Sequence, residues 1–364
     1  MKKIMVGLNE RSYDVFIGAG VISKLPGILA EISEGSPVVV ITDKNVVKKA
    51  GKNFIEVIES IKSPVMKIVI EPGEKSKSLE VFSGVIKKIV SGTHGHKPTV
   101  VAVGGGVVGD LAGFVASAYR RGVPFLQVPT TLLAQVDSSV GGKVGIDLDE
   151  AKNIIGSFYQ PRAVIADTCF LDSLSPRQIR NGMAEVIKYA VIKSPEMFEY
   201  LEKNINKINA KDKKFMEKIV VSCVEIKARV TEKDEFDAKD VRIILNFGHT
   251  LGHAVETASG YSDLYNHGES ISLGMLMASE IAVRLGIFKK RDQDRLRNLI
   301  FSAGLPVVIK GVQKRKILAA SRFDKKFTLG VNRFVLPHSI GRVRVVEDIP
   351  VGLIEKVVSS FFNG

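Results

Sequence analysis

The sequence predicts an α/β half built on a largely parallel sheet, followed by a mainly α-helical half, with the division at residue 174. Three observations point that way. Short apolar runs of strand character alternate with amphipathic stretches through the first half, the pattern of βαβ units. A glycine-rich segment, "VAVGGGVVGDLAG", joins one of those runs to a helix-like stretch. Past about residue 175, long amphipathic stretches such as "IRNGMAEVIKYAVI" and "SISLGMLMASEIAVRLG" take over, with apolar positions at helical period. The expected domains are residues 1–174 and 175–364, and the cleft between two such halves is where a site is expected.

In chain order, "KKIMVGL" and "SYDVFIG" read as two strands around a short turn at "NER". "PVVVITD" is a buried-strand run ending at Asp43, and "VMKIVI" is another, followed by the loop "EPGEKSKS". "TVVAVGGG" is a third, opening into the helix "LAGFVASAY"; "FLQVPTT" and "AVIADT" complete the strand-like runs. The stretch "SSVGGKVGID" follows neither the strand nor the helix period. No internal repeat or low-complexity tract interrupts the chain.

With 364 residues and 45% hydrophobic content, the chain is long enough for two cores. No run of about 18 uninterrupted apolar residues is present, so no membrane span is expected. The start, "MKKIMVGLNERSYDVF", turns charged too soon for a signal peptide, and the expected location is the cytoplasm. The two cysteines, Cys169 and Cys223, cannot form a disulfide framework and are expected to be small buried hydrophobes. Lys and Arg total 52 against 39 acids, a net charge of +13, which suits an anionic partner. Basic residues are not clustered with aromatics and Trp is absent, so a small anionic substrate is expected and nucleic acid is not.

Three constellations carry chemistry. Gly104, Gly106 and Gly109 stand in G-x-G-x-x-G register between a strand and a helix, where glycine lets the backbone approach a pyrophosphate at a helix N-terminus. The acid usual about 20 residues further on is missing, which leaves Asp43, at the end of "VVVITD", as a ribose partner or as the N-cap of "KNVVKKAG". Next, "VPTTLLAQVDSSVGGKVGIDLDEAKN" packs Thr130, Thr131, Asp137, Ser138, Lys143, Lys152 and Asn153 together, the donors and point charges of a phosphate or carboxylate cradle. Finally, "NFGHTLGH" puts His249 and His253 one helical turn apart. H-x-x-x-H holds zinc only with a third ligand, and the candidates are His267 and Glu185. Glu185 is out of place on the apolar side of its helix, beside Met183, Ala184, Val186 and Ile187. Spacing alone leaves open which two of the three histidines would bind a metal.

Together, "GGGVVGDLAGFVAS", "VPTTLLAQVDSSVGGKVGID", "KNIIGSFYQP", "GMAEVIKYAVI", "LNFGHTLGHAVE" and "HGESISLGM" resemble the 3-dehydroquinate synthase family, from about residue 40 to "DKKFTLG". The resemblance implies an N-terminal Rossmann-like domain, a mainly α-helical C-terminal domain, an active site between them and a homodimer. It implies a carbon–oxygen lyase of aromatic amino acid biosynthesis, using NAD+ and a divalent metal, zinc or alternatively cobalt. That family converts 3-deoxy-D-arabino-heptulosonate 7-phosphate to 3-dehydroquinate and phosphate. NAD+ oxidises the C5 hydroxyl, the new ketone acidifies the neighbouring C–H, and phosphate is eliminated. The ketone is then reduced again, the ring opens, and an intramolecular aldol step closes the carbocycle.

Carried over position by position, the resemblance makes Glu185, His249 and His267 the metal ligands and His253 a substrate-side residue. On the cofactor side it implies Asp43, Asn45, Glu74, Lys77, Gly105, Gly106, Val107, Asp110, Thr130, Thr131, Leu133, Lys143, Lys152, Phe170, Leu171, Asp172 and Ser173, the family usually having Thr at the last. On the substrate side it implies Arg121, Asp137, Lys143, Lys152, Asn153, Lys188, Lys227, Arg242, Asn246, His253 and Lys326, with Lys325 as the alternative to Lys326. Those cations suit a substrate with both a carboxylate and a phosphate. One departure stands out: "DEFDAKDVR" is one residue longer than the family's D-E-x-E-x-G-x-R and lacks its glycine, which leaves the alignment of Asp237 open. "GYSDLYNHGE" is also slightly long. Rival readings are a metal-dependent polyol dehydrogenase, which typically carries a lysine where Val107 stands, and a sister sugar-phosphate cyclase.

Overall fold

The computed structural model describes residues 1–33, 35–49, 51–148, 151–208, 210–260, 264–322 and 332–362. They group by contact into two units, Met1–Ser175 with Met216–Phe236, and Pro176–Phe215 with Asp237–Gly364. The sequence pattern, with its one division at residue 174, carries no signal that Met216–Phe236 joins the first unit, because that grouping depends on contacts distant in the chain.

In the first unit β1 (Lys2–Val6) and β2 (Tyr13–Gly18) pair antiparallel around a 3-10 turn at Asn9–Arg11. Four strands follow, β3 (Val38–Asp43), β4 (Val65–Ile70), β5 (Thr99–Gly104) and β6 (Phe125–Pro129). A separate hairpin of β7 (Lys143–Leu148) and β8 (Ala151–Phe158) precedes β9 (Ala163–Asp167). Helices α1 (Leu25–Ser33), α2 (Lys44–Lys49), α3 (Gly51–Glu59), α4 (Leu79–Gly92) and α5 (Gly106–Ala118) lie between the strands. The main sheet has seven strands in the order β1-β2-β9-β6-β5-β3-β4, parallel everywhere except β1–β2. Alternation along β3 shows how a continuous apolar run serves two cores. Val38 and Val40 join a cluster with Leu29 of α1 and Phe54 of α3, while Val39 and Ile41 join one with Val85 of α4 and Leu111 of α5. Full burial of each such side chain stabilises the fold by about 1.5–3 kcal/mol.

The aperiodic stretch "SSVGGKVGID" runs into β7, the first strand of the β7–β8 hairpin. Val144 and Ile146 alternate into the α4–α5 core, but glycines hide the period. A Cβ on Gly145 would lie 2.6 Å from the Ile155 carbonyl oxygen, and one on Gly156 2.3 Å from that of Val144, so the two chains pass too closely for side chains there. Cys223 is buried as expected, but Cys169 is exposed. The strand ends at Asp167 and the turn Thr168–Ser173 that follows buries Thr168 and Leu171 instead.

The second unit contains α6 (Pro176–Lys193), α7 (Pro195–Asn204), the start of α8 (Lys213–Lys233), α9 (His249–Ala258), α10 (His267–Arg284), α11 (Lys290–Ser302) and α12 (Lys314–Arg322). It ends with an antiparallel hairpin, β10 (Arg333–Ser339) and β11 (Arg342–Glu347), and α13 (Val351–Ser360). α10 is buried along most of its length and packs against α6, α9, α11, β10 and α13. Among the described residues no helix is long and apolar enough to cross a membrane.

Candidate active site

Three helices of the second unit converge on one cluster. On α6, Arg177, Asn181, Glu185 and Lys188 recur at helical spacing and share a side. Arg177 pairs with Glu269 at 2.8 Å, and Asn181 Oδ1 accepts from the Gly268 N–H at 2.6 Å. Asn266 and Glu269 form a capping box, which starts α10 at His267. Gly268 lies so close to α6 that a Cβ there would be 2.2 Å from the Asn181 carbonyl oxygen. α9 and α10 cross backbone to backbone, since a Cβ on Gly274 would be 1.9 Å from the Gly248 carbonyl oxygen. The glycines of "FGHTLGH", "HGES" and "SLGM" therefore set the helix separations that bring His249 and His267 to Glu185.

Glu185 is fully buried and forms an ion pair with Lys188, also buried. The Nε2 atoms of His249 and His267 lie 3.7 Å and 3.4 Å from Glu185 Oε1. His249 Nδ1 lies 3.2 Å from the Phe247 carbonyl oxygen; a carbonyl only accepts, so Nδ1 carries a proton there, and Nε2 is the ring nitrogen turned to Glu185. One donor atom from each of Glu185, His249 and His267 lies within 4.8 Å of the others. One carboxylate and two imidazoles, each with its Nε2 turned to the acid, fit zinc or cobalt with a position left for substrate. Burial pushes the His267 imidazolium down, but Glu185 and Glu256 outweigh it and hold its pKa up to about 9. His253 is exposed, its ring 5.2 Å from that of His249 and 6.2 Å from that of His267, and its donor atoms group with Glu256 and His267 instead of Glu185.

In the first unit a second set gathers around buried Lys77. Its Nζ lies 2.8 Å from Asp110 Oδ2, 3.7 Å from Glu74 Oε1 and 4.0 Å from Asp147 Oδ1, and it donates to Asn153 Oδ1. Lys152 lies 4.0 Å from Glu74, and the Asn153 N–H donates to Asp147 Oδ1 at 2.6 Å. Burial pushes the Asp110 and Glu74 carboxyls up despite the nearby ammonium. Burial lowers Lys77 in turn, but the surrounding acids together hold it above the ordinary lysine value. Gly105 caps α5 and Gly106 and Val107 open it, where the first N–H groups have no acceptor within the helix. A Cβ on Gly105 would be 3.2 Å from Thr131 and one on Gly106 3.2 Å from Ser138. Bare backbone donors at a strand-to-helix turn, without side chains in the way, fit the pyrophosphate of a dinucleotide. Ninety residues apart in sequence, Lys227 Nζ donates to Asp137 Oδ1 at 2.7 Å and to its carbonyl oxygen at 2.6 Å.

The other predicted positions are spread around these two sets. Asp43 Oδ1 accepts from the Val46 N–H at 2.9 Å, so it caps α2, and Asn45 is exposed on that helix. Thr130 and Thr131 follow β6, where the Thr131 hydroxyl accepts from the Ala134 N–H at 3.2 Å, and Leu133 leads into the π-helical turn Ala134–Ser138 that holds Asp137. Phe170, Leu171, Asp172 and Ser173 form the turn after β9, with Phe170 edge-on to Phe54. Arg121 is exposed in a left-handed conformation, φ 65°. Lys143 is exposed at the start of β7, 5.8 Å over the Phe158 ring. Arg242, buried, and Asn246 bound the 3-10 turn Arg242–Asn246. Lys325 and Lys326 lie outside the described residues, as do residues 261–263 of the second lengthened loop. In "DEFDAKDVR", Asp237 and Asp240 adopt left-handed φ of 55° and 58°, the conformation the absent glycine would take without strain. Two residues of these sets are not anticipated from sequence, Asp147 and Glu256. Glu256 has a signal in hindsight, since it follows His249 by seven and His253 by three, on one face of α9.

Known proteins share this arrangement of motifs. A family model described as "3-dehydroquinate synthase N-terminal" matches residues 67–181 and one described as "3-dehydroquinate synthase C-terminal" matches residues 182–327. A 3-dehydroquinate synthase of Desulforamulus reducens is 42% identical over 360 residues, covering 99% of this chain and 100% of that protein. Among solved structures, a 2-deoxy-scyllo-inosose synthase complexed with carbaglucose-6-phosphate, NAD+ and Co2+ superposes with a TM-score of 0.88 at 26% identity, over 99% of this chain and 100% of the other. A 2-epi-5-epi-valiolone synthase from Streptomyces hygroscopicus, with NAD+ and Zn2+ bound, gives 0.88 at 25% identity, over 98% of each chain. With both halves matched and a relative identical at two positions in five along the full length, the chain belongs to the 3-dehydroquinate synthase family.

Proposed function

We propose that this chain is a 3-dehydroquinate synthase, a lyase that converts 3-deoxy-D-arabino-heptulosonate 7-phosphate to 3-dehydroquinate and phosphate and works as a homodimer in the cytoplasm. The observation that carries the reading is the convergence of Glu185, His249 and His267 within 4.8 Å, in a chain that also has an open glycine turn at a helix N-terminus. Glu185, His249 and His267 would hold the divalent metal, and the start of α5, with Asp43, Thr130 and Thr131, would hold NAD+. When bound, NAD+ supplies a temporary hydride acceptor and the metal a Lewis acid for the substrate's hydroxyls. The residues of the chain orient and neutralise. Lys188 balances Glu185. Lys227 fixes Asp137. Lys143, Lys152, Arg242 and Asn246 supply donors for a carboxylate and a phosphate, and His253, outside the Glu185–His249–His267 set, would contact substrate. Val107 at the glycine turn argues against the polyol dehydrogenase reading.

The test is redox balance. With purified protein, the heptulosonate phosphate, zinc and substoichiometric NAD+, phosphate is released over many turnovers with no build-up of absorbance near 340 nm. Stoichiometric NADH from glycerol, with no phosphate from the heptulosonate phosphate, would return the chain to the dehydrogenases. Phosphate release with a different carbocyclic product would move it to a sister cyclase.

A further inference from the structure

We infer that Glu256 is a positioning residue of the metal centre: its carboxylate is the acceptor facing the Nδ1–H of His267 and so fixes that ring to present Nε2 to the cation. The inference rests on the metal reading above. A neutral imidazole binds a metal through one nitrogen and carries its proton on the other, and the group that holds that proton sets the ring's tautomer, its angle and its donor strength. For His249 the Phe247 carbonyl holds Nδ1 at 3.2 Å, leaving Nε2 toward Glu185. His267 has the same polarity, with Nε2 at 3.4 Å from Glu185 Oε1 and Nδ1 at 3.9 Å from Glu256 Oε2. Glu256 thus stands where the Phe247 carbonyl stands for the other ligand. Its side chain is only 11% exposed, so its charge is weakly screened. At 3.9 Å the contact is an ion pair, and a ring movement of about 1 Å brings it to hydrogen-bond length. A carboxylate is a stronger acceptor than a carbonyl, so His267 becomes the stronger donor of the two ligands.

The same atoms admit another arrangement, because His253, Glu256 and His267 also offer donor atoms within 4.8 Å of one another. A second cation there would require His267 to give up both ring protons and bridge two positive charges. It would also rely on His253, which is exposed. Protonated Nδ1 against a carboxylate avoids both demands.

The experiment titrates the metal-free full chain with Zn2+ and Co2+ against a chromophoric chelator, for wild type, Glu256→Gln, Glu256→Asp, Glu256→Ala and Glu185→Gln. One equivalent is expected in wild type and in all three Glu256 variants, with affinity lower by about 10- to 100-fold in Gln and Ala and partly restored in Asp. The visible absorption of the Co2+ form shifts in Glu256→Gln, which a merely structural role would not produce. Wild-type affinity with an unshifted Co2+ spectrum in Glu256→Gln overturns the inference while leaving the metal centre intact. Two equivalents in wild type falling to one in Glu256→Gln also overturns it, making Glu256 a ligand of a second ion. No tight binding by wild type, with Glu185→Gln indistinguishable from it, removes the metal reading and this inference together.

Discussion

Gly268→Ala tests whether the spacing of α6 and α10 determines metal binding. An alanine Cβ would lie 2.2 Å from the Asn181 carbonyl oxygen and 2.8 Å from its carbonyl carbon and Cα. A comfortable carbon-to-oxygen contact is about 3.3 Å, so the first turn of α10 must retreat from α6 by about 1 Å. The obstacle is backbone, so no side-chain rotation relieves it. His267 and Glu185 ride on those two elements, and zinc geometry tolerates only about 0.2 Å in its ligand distances. Overpacking of this kind typically destabilises by about 1–3 kcal/mol, and stretching the 2.6 Å bond from Gly268 N–H to Asn181 Oδ1 adds about 1 kcal/mol. Metal affinity should fall by about 100-fold or more, the scale on which a 1 Å misplacement acts in an active site. Chelator competition measures the affinity, and thermal unfolding with and without zinc measures the stability. Gly352→Ala is the control: its Cβ would meet nothing within 4 Å, and alanine in a helix is favoured over glycine by about 0.5–1 kcal/mol. A Gly268→Ala protein that binds zinc as tightly as wild type and melts at the same temperature would refute the reasoning.

Three further outcomes are expected. Glu185→Gln, His249→Ala and His267→Ala lose tight metal, while His253→Ala keeps it and loses turnover; metal analysis showing loss in His253→Ala but retention in His267→Ala would reassign the ligands. Lys143→Met and Lys152→Met weaken sugar-phosphate binding by about 10- to 100-fold, the worth of a charged hydrogen bond, and far more than they weaken NAD+ binding; calorimetry with each ligand decides it, and unchanged sugar-phosphate affinity would make both lysines ordinary solvated charges. Burial pushes the Glu280 carboxyl up, but bonds from Gln293 and Arg284 at 2.6 and 2.7 Å outweigh it and hold it below 4.5. A depressed folded-state pKa contributes stability above the ordinary value that is lost as pH falls below it, so Glu280→Gln should be less stable than wild type at neutral pH and closer to it near about pH 4; urea midpoints showing a gap that widens in acid would contradict this.

Sequence by itself determined the features that depend on neighbours in the chain. The apolar runs "VVVITD" and "TVVAVG" are legible as strands because β3 and β5 are buried on both faces. The glycine turn is legible because strand, glycines and helix are contiguous. Glu185 is legible as an anomaly, an acid within an apolar stretch, and it is fully buried. Tertiary structure alone decided three things. The β7–β8 hairpin is hidden from its period by Gly145 and Gly156, which are there because two chains pass within 2.6 Å of where a Cβ would sit. The segment Met216–Phe236 joins the first unit through contacts that leave no mark on its helical pattern. Which histidine nitrogens face Glu185, and that Glu256 stands behind His267, follows from how α6, α9 and α10 cross. Those crossings are set by close contacts between residues as far apart as Asn181 and Gly268. A helical period gives the face on which a ligand lies, but whether two faces meet within ligand distance depends on helix separations accurate to a fraction of an ångström, and no local pattern encodes them.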